Sequence, residues 1–208
     1  MMTHMQRALD LALKAIGNTS PNPPVGAVVV KNGVIVGEGW TQPPGGPHAE
    51  INALEQAGAL SYGSTLFTTL EPCCYQSRTP PCTSAIVEAG VTDVRIATLD
   101  PNAKVNGRGK SALEEAGLRV SVEECENCAR ELMESYLHWA TTGRPMVIAK
   151  YAMSLDGKIA TVGGESRWIT DEDSRLRVHY LRRNCDAVGA GIGTILQDNP
   201  KLTARDIN

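Results

Sequence analysis

The stretch STLFTTLEPCCYQSRTPPCTSAIVEAG, residues 64–90, changes character twice. Residues 65–70 are apolar and β-branched, the composition of a buried strand. Residues 71–81 carry Pro72, Pro80 and Pro81, which suit neither a helix interior nor a central strand, so they form a loop. From Cys82 the run turns helical and is closed near residue 89 by Gly90. Upstream, HAEINALEQAG predicts a second helix over about 48–58, ending near Gly58. VGAVVVKNGVIVGEGW, residues 25–40, predicts a hairpin, because Asn32-Gly33 favours a tight primed turn between two β-rich runs. Met5, Ala8, Leu9, Leu11, Ala12 and Ile16 form the apolar stripe of an N-terminal helix.

Downstream the alternation continues. TDVRIATL (92–99) and LRVSVE (118–123) predict strands, 110–116 a short helix, and about 124–141 a long one. Repeated β-α-β-α order argues for an open α/β sheet covered by helices on both faces. Thr142-Gly143-Arg144-Pro145 is the natural boundary. Beyond it a strand is expected over MVIAKYAMS (146–154), a helix over about 171–183, and a strand over DAVGA (186–190). About 63 residues are few for a self-sufficient core, so this second unit reads as the incomplete start of a domain.

The 208 residues are 42% hydrophobic and 21% charged, within the ordinary globular range. A net charge of −3 without a basic stretch argues against a nucleic-acid partner. No apolar run nears the ~20 residues that span a bilayer, so no membrane partner is expected. Arg7, Asp10 and Lys14 break any signal-like apolar core in the N-terminal stretch, so no secretion signal is expected there. A cytoplasmic location follows as the expectation, with reduced thiols at Cys73, Cys74, Cys82, Cys125, Cys128 and Cys185.

Clustered thiols suggest metal. A lone histidine or cysteine is more often a helix cap or an interior thiol. Here His48 opens one helix while Cys73 and Cys82 flank the start of the next, so the three can converge as ligands of one Zn2+. Zinc with three protein ligands keeps a fourth position for water and lowers that water's pKa. Glu50, two residues after His48, then stands beside the metal and can carry the proton. Cys74 is expected to be a bystander, since adjacent residues rarely point at one metal. Cys125 and Cys128 make a C-x-x-C that could be half a zinc site or a redox pair. With no second pair and no nearby histidine, two thiols on a helix face is the better reading.

H-x-E followed by P-C and a later Cys is the signature of zinc nucleobase deaminases. TLEPCCYQSRTPPCT, with NPPVGAVVV before it and DPNAKVNGRG after it, resembles the bifunctional riboflavin-biosynthesis deaminase/reductase family. The resemblance covers nearly the whole chain. It implies a cytidine-deaminase-like three-layer domain over residues 1–142, followed over 146–208 by the first part of a reductase related in fold to dihydrofolate reductase. It implies His48, Cys73 and Cys82 as zinc ligands, one ion per chain, and Glu50 as the proton shuttle. Asn22, Arg78, Asp100 and Asn102 match positions that hold a phosphoribosylated pyrimidine. The implied reaction is hydrolysis of the 2-amino group of 2,5-diamino-6-(5-phosphoribosylamino)pyrimidin-4(3H)-one. The chain carries Tyr75, Gln76 and Ser77 where the family usually has histidine, often a second histidine, then glycine. A tyrosine there can donate one hydrogen bond but carries no charge at neutral pH.

In the second unit, GAGIGT (189–194) lacks the third glycine of a dinucleotide fingerprint. By resemblance, Ala152, Trp168, Thr194 and Asp198 match NADPH-contacting positions, and Ser166, Arg182, Leu202 and Arg205 match substrate-contacting ones. Ordinary readings remain beside these: Trp168 as core, the arginines as solvated charges, Asp198 as a turn residue. The expectation is a chain that deaminates but does not reduce, with residues 145–208 poorly ordered or sheltered by other surfaces. A homo-oligomer is a permitted assembly. Two competing readings stay open: a non-catalytic structural zinc module in which Glu50 caps its helix, and a deaminase of nucleosides or of a tRNA base.

Overall fold

The computed structural model describes residues 2–76, 79–122 and 125–205. Helix α1 (His4–Leu13) opens on a reciprocal cap: Thr3 Oγ1 accepts the Gln6 N–H at 3.2 Å, and Gln6 Oε1 accepts the Thr3 N–H at 2.8 Å. Its stripe of Met5, Ala8, Leu9, Leu11 and Ala12 is buried, as the periodicity requires. The hairpin forms as β1 (Gly26–Lys31) and β2 (Val34–Trp40), with Asn32 and Gly33 both at positive φ. Then come α2 (Ala49–Ala57), a 3-10 turn (Gly58–Ser61), β3 (Thr65–Leu70) and α3 (Cys82–Glu88). β4 (Asp93–Thr98), α4 (Arg108–Glu115) and β5 (Arg119–Val122) complete the alternation.

The strands join in one sheet of order β2-β1-β3-β4-β5. β1 pairs antiparallel with β2 and β3, while β3-β4-β5 run parallel. Helices α1 and α5 (Glu126–Leu132) pack together on one face, and α2, α3 and α4 pack in sequence on the other, giving three layers. Contact with α2 is close because β2 presents Gly37 and Gly39: a Cβ at either would collide with the Ala53 or Ala49 carbonyl oxygen. On the open edge of β2, Gln56 Oε1 accepts the Glu38 N–H at 2.7 Å, and Asn52 and Gln42 both donate to the Trp40 carbonyl at 3.0 Å. The parallel arrangement brings the carboxyl ends of β3 and β4 to the same edge, where ligands bind in sheets of this kind. β3 runs into Glu71–Cys73 there, and β4 into Leu99–Asn102.

Two expectations need correction. The single helix over 124–141 is two, α5 (Glu126–Leu132) and α6 (Glu134–Thr142), broken at Met133, whose φ of −106° and ψ of 17° leave the helical region. Met133 is fully buried at the break, and the change of direction lets Ala129 and Leu137 reach the core from separate segments. The strands expected over 146–154 and 186–190 do not form; among the described residues neither stretch pairs with a neighbour. Composition sets a preference for extended backbone, but a strand exists only where a partner supplies the ladder.

The chain divides into two compact units, Met1–Met146 and Val147–Asn208. The second holds α7 (Glu172–Arg183), started by Asp171, whose carboxylate accepts the Ser174 N–H at 2.9 Å, and α8 (Ile192–Asp198). Turns at Ser154–Lys158 and Thr161–Glu165 close on backbone bonds of 2.8 and 2.9 Å. Every buried hydrophobic side chain among the described residues lies between Met5 and Leu137. Neither α7 nor α8 buries a residue, and Leu155 and Val162 are fully exposed. No helix among the described residues is long and apolar enough to cross a membrane.

Candidate zinc centre and its cleft

Three short-range signals converge at the carboxyl edge of the sheet. His48 is the N-cap of α2 in extended conformation, with its ring free of any capping bond. Cys73 follows β3, and Cys82 is the first residue of α3. His48 Nδ1 lies 3.2 Å from Cys82 Sγ and 3.6 Å from Cys73 Sγ. All three ligand atoms fall within 4.8 Å of one another. Zinc–sulfur and zinc–nitrogen bonds at a tetrahedral angle set such N···S pairs about 3.5 Å apart. Two thiols and one imidazole are the donor set zinc favours, and three ligands leave a fourth position open. The residues present fit the ion.

Their electrostatics favour a cation too. The Cys82 N–H donates to Cys73 Sγ at 3.3 Å. The hydrogen bond from the Cys82 thiol, followed by those from His48 and the Cys82 N–H, holds Cys73 down to about 4, toward thiolate. Cys82 moves the other way, because its proton is the one donated to Cys73 and because it is buried. The pair therefore shares one proton and one negative charge. His48 is raised by its hydrogen bond to Cys73.

Glu50, in the first turn of α2, is buried against this cluster. Burial, and next the Cys73 charge, push its carboxyl up to about 7. A carboxyl poised near neutrality suits an acid that must also act as a base.

His48, Glu50 and Cys73 form the floor of an open cleft of about 780 Å³ including its mouth. Asn22, on the loop after α1, and Asp100 and Asn102, on the loop after β4, line the same cleft. Asp100 is buried and raised by that burial, while its Oδ1 accepts the Asn102 N–H at 2.9 Å. Tyr75 also lines the cleft, with Lys104 Nζ 5.4 Å from its ring centroid. Cys74 turns away, 3.8 Å from the Lys104 carbonyl, outside the three-ligand cluster. Cys125 packs against the core and Cys128 is exposed, on either side of the start of α5. Arg78 lies outside the described residues.

Among the cleft residues missed from the sequence are Glu71, Tyr136 and Trp139. Glu71 is buried, and its carboxylate accepts the N–H groups of Asp100 at 3.2 Å, Gly107 at 3.0 Å and Lys110 at 3.0 Å. It thereby ties the cysteine loop to the loop carrying Asp100. Gly109 permits this, since a Cβ there would strike the Pro72 carbonyl oxygen. An acid closing a buried strand two residues before a metal ligand was the available signal. Tyr136 and Trp139, on α6, have no local signal at all.

In the second unit the matched positions fall in two groupings. Arg182 on α7 donates to the carbonyls of Lys201 at 3.4 Å and Thr203 at 3.3 Å, while the Arg205 N–H donates to His179 at 3.2 Å. Leu202 lies within that segment. Asp198, ending α8, pairs with Arg167 at 3.5 Å, and the next residue, Trp168, lies under the Arg175 guanidinium at 4.4 Å. Thr194 is on α8; Ala152 and Ser166 are on connecting segments.

Known proteins supply the last observation. Residues 2–98 match the cytidine and deoxycytidylate deaminase zinc-binding region, and residues 145–208 match the RibD C-terminal domain. The riboflavin biosynthesis protein RibD of Aquifex aeolicus is 50% identical over 97% of this chain. The chain is similar to RibD along almost its whole length. It spans 57% of the Aquifex protein's length, a little over half. Among solved structures, RibD of Acinetobacter baumannii is similar at TM-score 0.93 and 43% identity, covering 98% of this chain and 57% of that one. A diaminohydroxyphosphoribosylaminopyrimidine deaminase/5-amino-6-(5-phosphoribosylamino)uracil reductase from Thermotoga maritima is similar at TM-score 0.93 and 46% identity, covering 99% of this chain and 59% of that one. The RibD likeness thus runs through both units.

Proposed function

We propose that residues 1–142 form a zinc-dependent deaminase of riboflavin biosynthesis. Its substrate is 2,5-diamino-6-(5-phosphoribosylamino)pyrimidin-4(3H)-one and its product 5-amino-6-(5-phosphoribosylamino)uracil, with release of ammonia. The observation that carries this reading is the His48–Cys73–Cys82 triangle beside a buried, near-neutral Glu50, on the floor of a cleft shared with Asn22, Asp100 and Asn102.

His48, Cys73 and Cys82 would hold the zinc. Bound there, zinc supplies Lewis acidity and makes hydroxide available from water near neutral pH. Glu50 takes the proton that the water gives up and passes it to a pyrimidine ring nitrogen. It later carries the second proton to the departing amine, so that one water is consumed, a C–N bond breaks and a carbonyl replaces it. The carboxyl can do both because burial holds it where either protonation state is accessible. Asn22, Asp100 and Asn102, with Arg78, orient the pyrimidine and its phosphoribosyl group. Residues 146–208 correspond to part of a reductase using NADPH, with Ala152, Trp168, Thr194 and Asp198 toward the cofactor and Ser166, Arg182, Leu202 and Arg205 toward the substrate.

Ammonia release from a panel of aminopyrimidines, nucleosides and a tRNA anticodon stem-loop tests this. The phosphoribosylated diaminopyrimidinone should be the preferred substrate. Glu50→Gln should keep zinc and fold while losing about 10²–10⁴ in turnover. Preference for cytidine or the tRNA loop would move the protein to another deaminase class. Zinc-bound protein with no turnover would make the centre structural.

A further inference from the structure

Helix α6 lies beyond residue 98, where the match to the zinc-binding region ends, yet it walls the cleft with Tyr136 and Trp139. The Tyr136 hydroxyl straddles both carboxylate oxygens of Asp100, at 3.1 Å from Oδ1 and 3.0 Å from Oδ2. Among the described residues, the other hydrogen bonds that hold Asp100 come from its own loop and from the cysteine loop: Asn102 N–H on Oδ1, Asn106 N–H on the carbonyl, and Glu71 Oε2 on the Asp100 N–H. Asp100 is thus fixed at its backbone by its own loop and the cysteine loop, and at its carboxylate by its own loop and by α6.

We propose that Tyr136 is a positioning residue of the deaminase, holding the Asp100 carboxylate in the orientation that receives a donor group of the substrate. This deepens the function proposed above and rests on it. A carboxylate offers about four lone-pair sites. Asn102 and Tyr136 occupy part of these, and because Asp100 lines the cleft the remainder serves a hydroxyl or amine of the substrate. Without the phenolic hydroxyl, the carboxylate turns about its last torsion, a broad and weakly restrained one, and draws water instead. The bond serves ground state and transition state alike, so its loss falls on KM rather than on kcat.

Tyr136→Phe keeps the ring and removes only the hydroxyl. With the diaminopyrimidinone substrate, KM should rise about tenfold and kcat change less than about twofold, as expected for one hydrogen bond to a charged group. Zinc content should stay at one per chain. In an Asp100→Asn background the same substitution should change KM by less than about twofold, because the group it positions is gone. Substrate dissociation constants measured in Glu50→Gln protein give the same cycle if Asp100→Asn turns over too slowly. A wild-type KM in Tyr136→Phe, or a tenfold loss that persists beside Asp100→Asn, would show that the tyrosine only packs α6. Wild-type protein that releases no ammonia sinks the proposed function, and this inference with it; ordinary wild-type turnover with an indifferent Tyr136 sinks this inference alone.

Discussion

Glu50 has a titration that can be followed without substrate. In the folded, metal-free chain its carboxyl is raised from 4.5 to about 7, so the native state holds a proton there that the unfolded chain has already released. A raised acid favours the fold at low pH, and that contribution fades as pH climbs between the two values. The loss is at most about 3 kcal/mol. Glutamine cannot titrate, so wild type should lose stability relative to Glu50→Gln on going from pH 5 to pH 7.5. Comparing the two metal-free chains cancels the opposite trend from Cys73, which both share. Urea unfolding at the two pH values checks this, and a constant gap would mean an ordinary carboxyl. For the metal, Cys73→Ser or Cys82→Ser should abolish zinc retention, whereas Cys125→Ser with Cys128→Ser should not, as read by elemental analysis. The convergence of His48, Cys73 and Cys82 was legible in the sequence because each sits at a junction whose local pattern is strong. Tyr136 was not, since 36 residues separate it from the carboxylate it touches.

At the scale of elements, the periodic segments before residue 123 were legible, because apolar spacing and the Asn32-Gly33, Gly58 and Gly90 punctuation agree there. The break at Met133 was hidden, as both halves keep helical spacing and only the core dictates the turn. Strands at 146–154 and 186–190 could not be judged from composition, since their existence depends on a partner elsewhere. The seating of α4 is a testable case of such long-range dependence. Its Gly109 rests on the Pro72 carbonyl, while Glu71 grips the amides of Gly107 and Lys110. Gly109→Ala should push α4 off the cysteine loop, cost about 1–3 kcal/mol in denaturant unfolding, and raise KM through the displaced Asp100 loop. Unchanged stability and KM would show that the contact yields without consequence.

For the whole molecule, all the buried apolar side chains among the described residues lie in the first unit, so that unit should stand without the second. Ending the chain at Gly143, which keeps α6 and Tyr136, should leave ammonia release within about twofold and the melting cooperative. The 208-residue chain given NADPH and the deaminated uracil product should consume none, because a cofactor's phosphates need a fixed backbone frame and the second unit forms no sheet among the described residues. Measurable NADPH oxidation would overturn that.

The outer edge of β2 carries a last consequence. A free edge is a template on which another strand can dock and from which fibrils grow. Here Gln56 already satisfies the Glu38 amide, and Asn52 and Gln42 both occupy the Trp40 carbonyl. An incoming strand would have to displace three side-chain amides to pair at Glu38 and Trp40. Sheet extension over this end of β2 is therefore blocked, and a strand that adds to the sheet is directed to the opposite edge, β5.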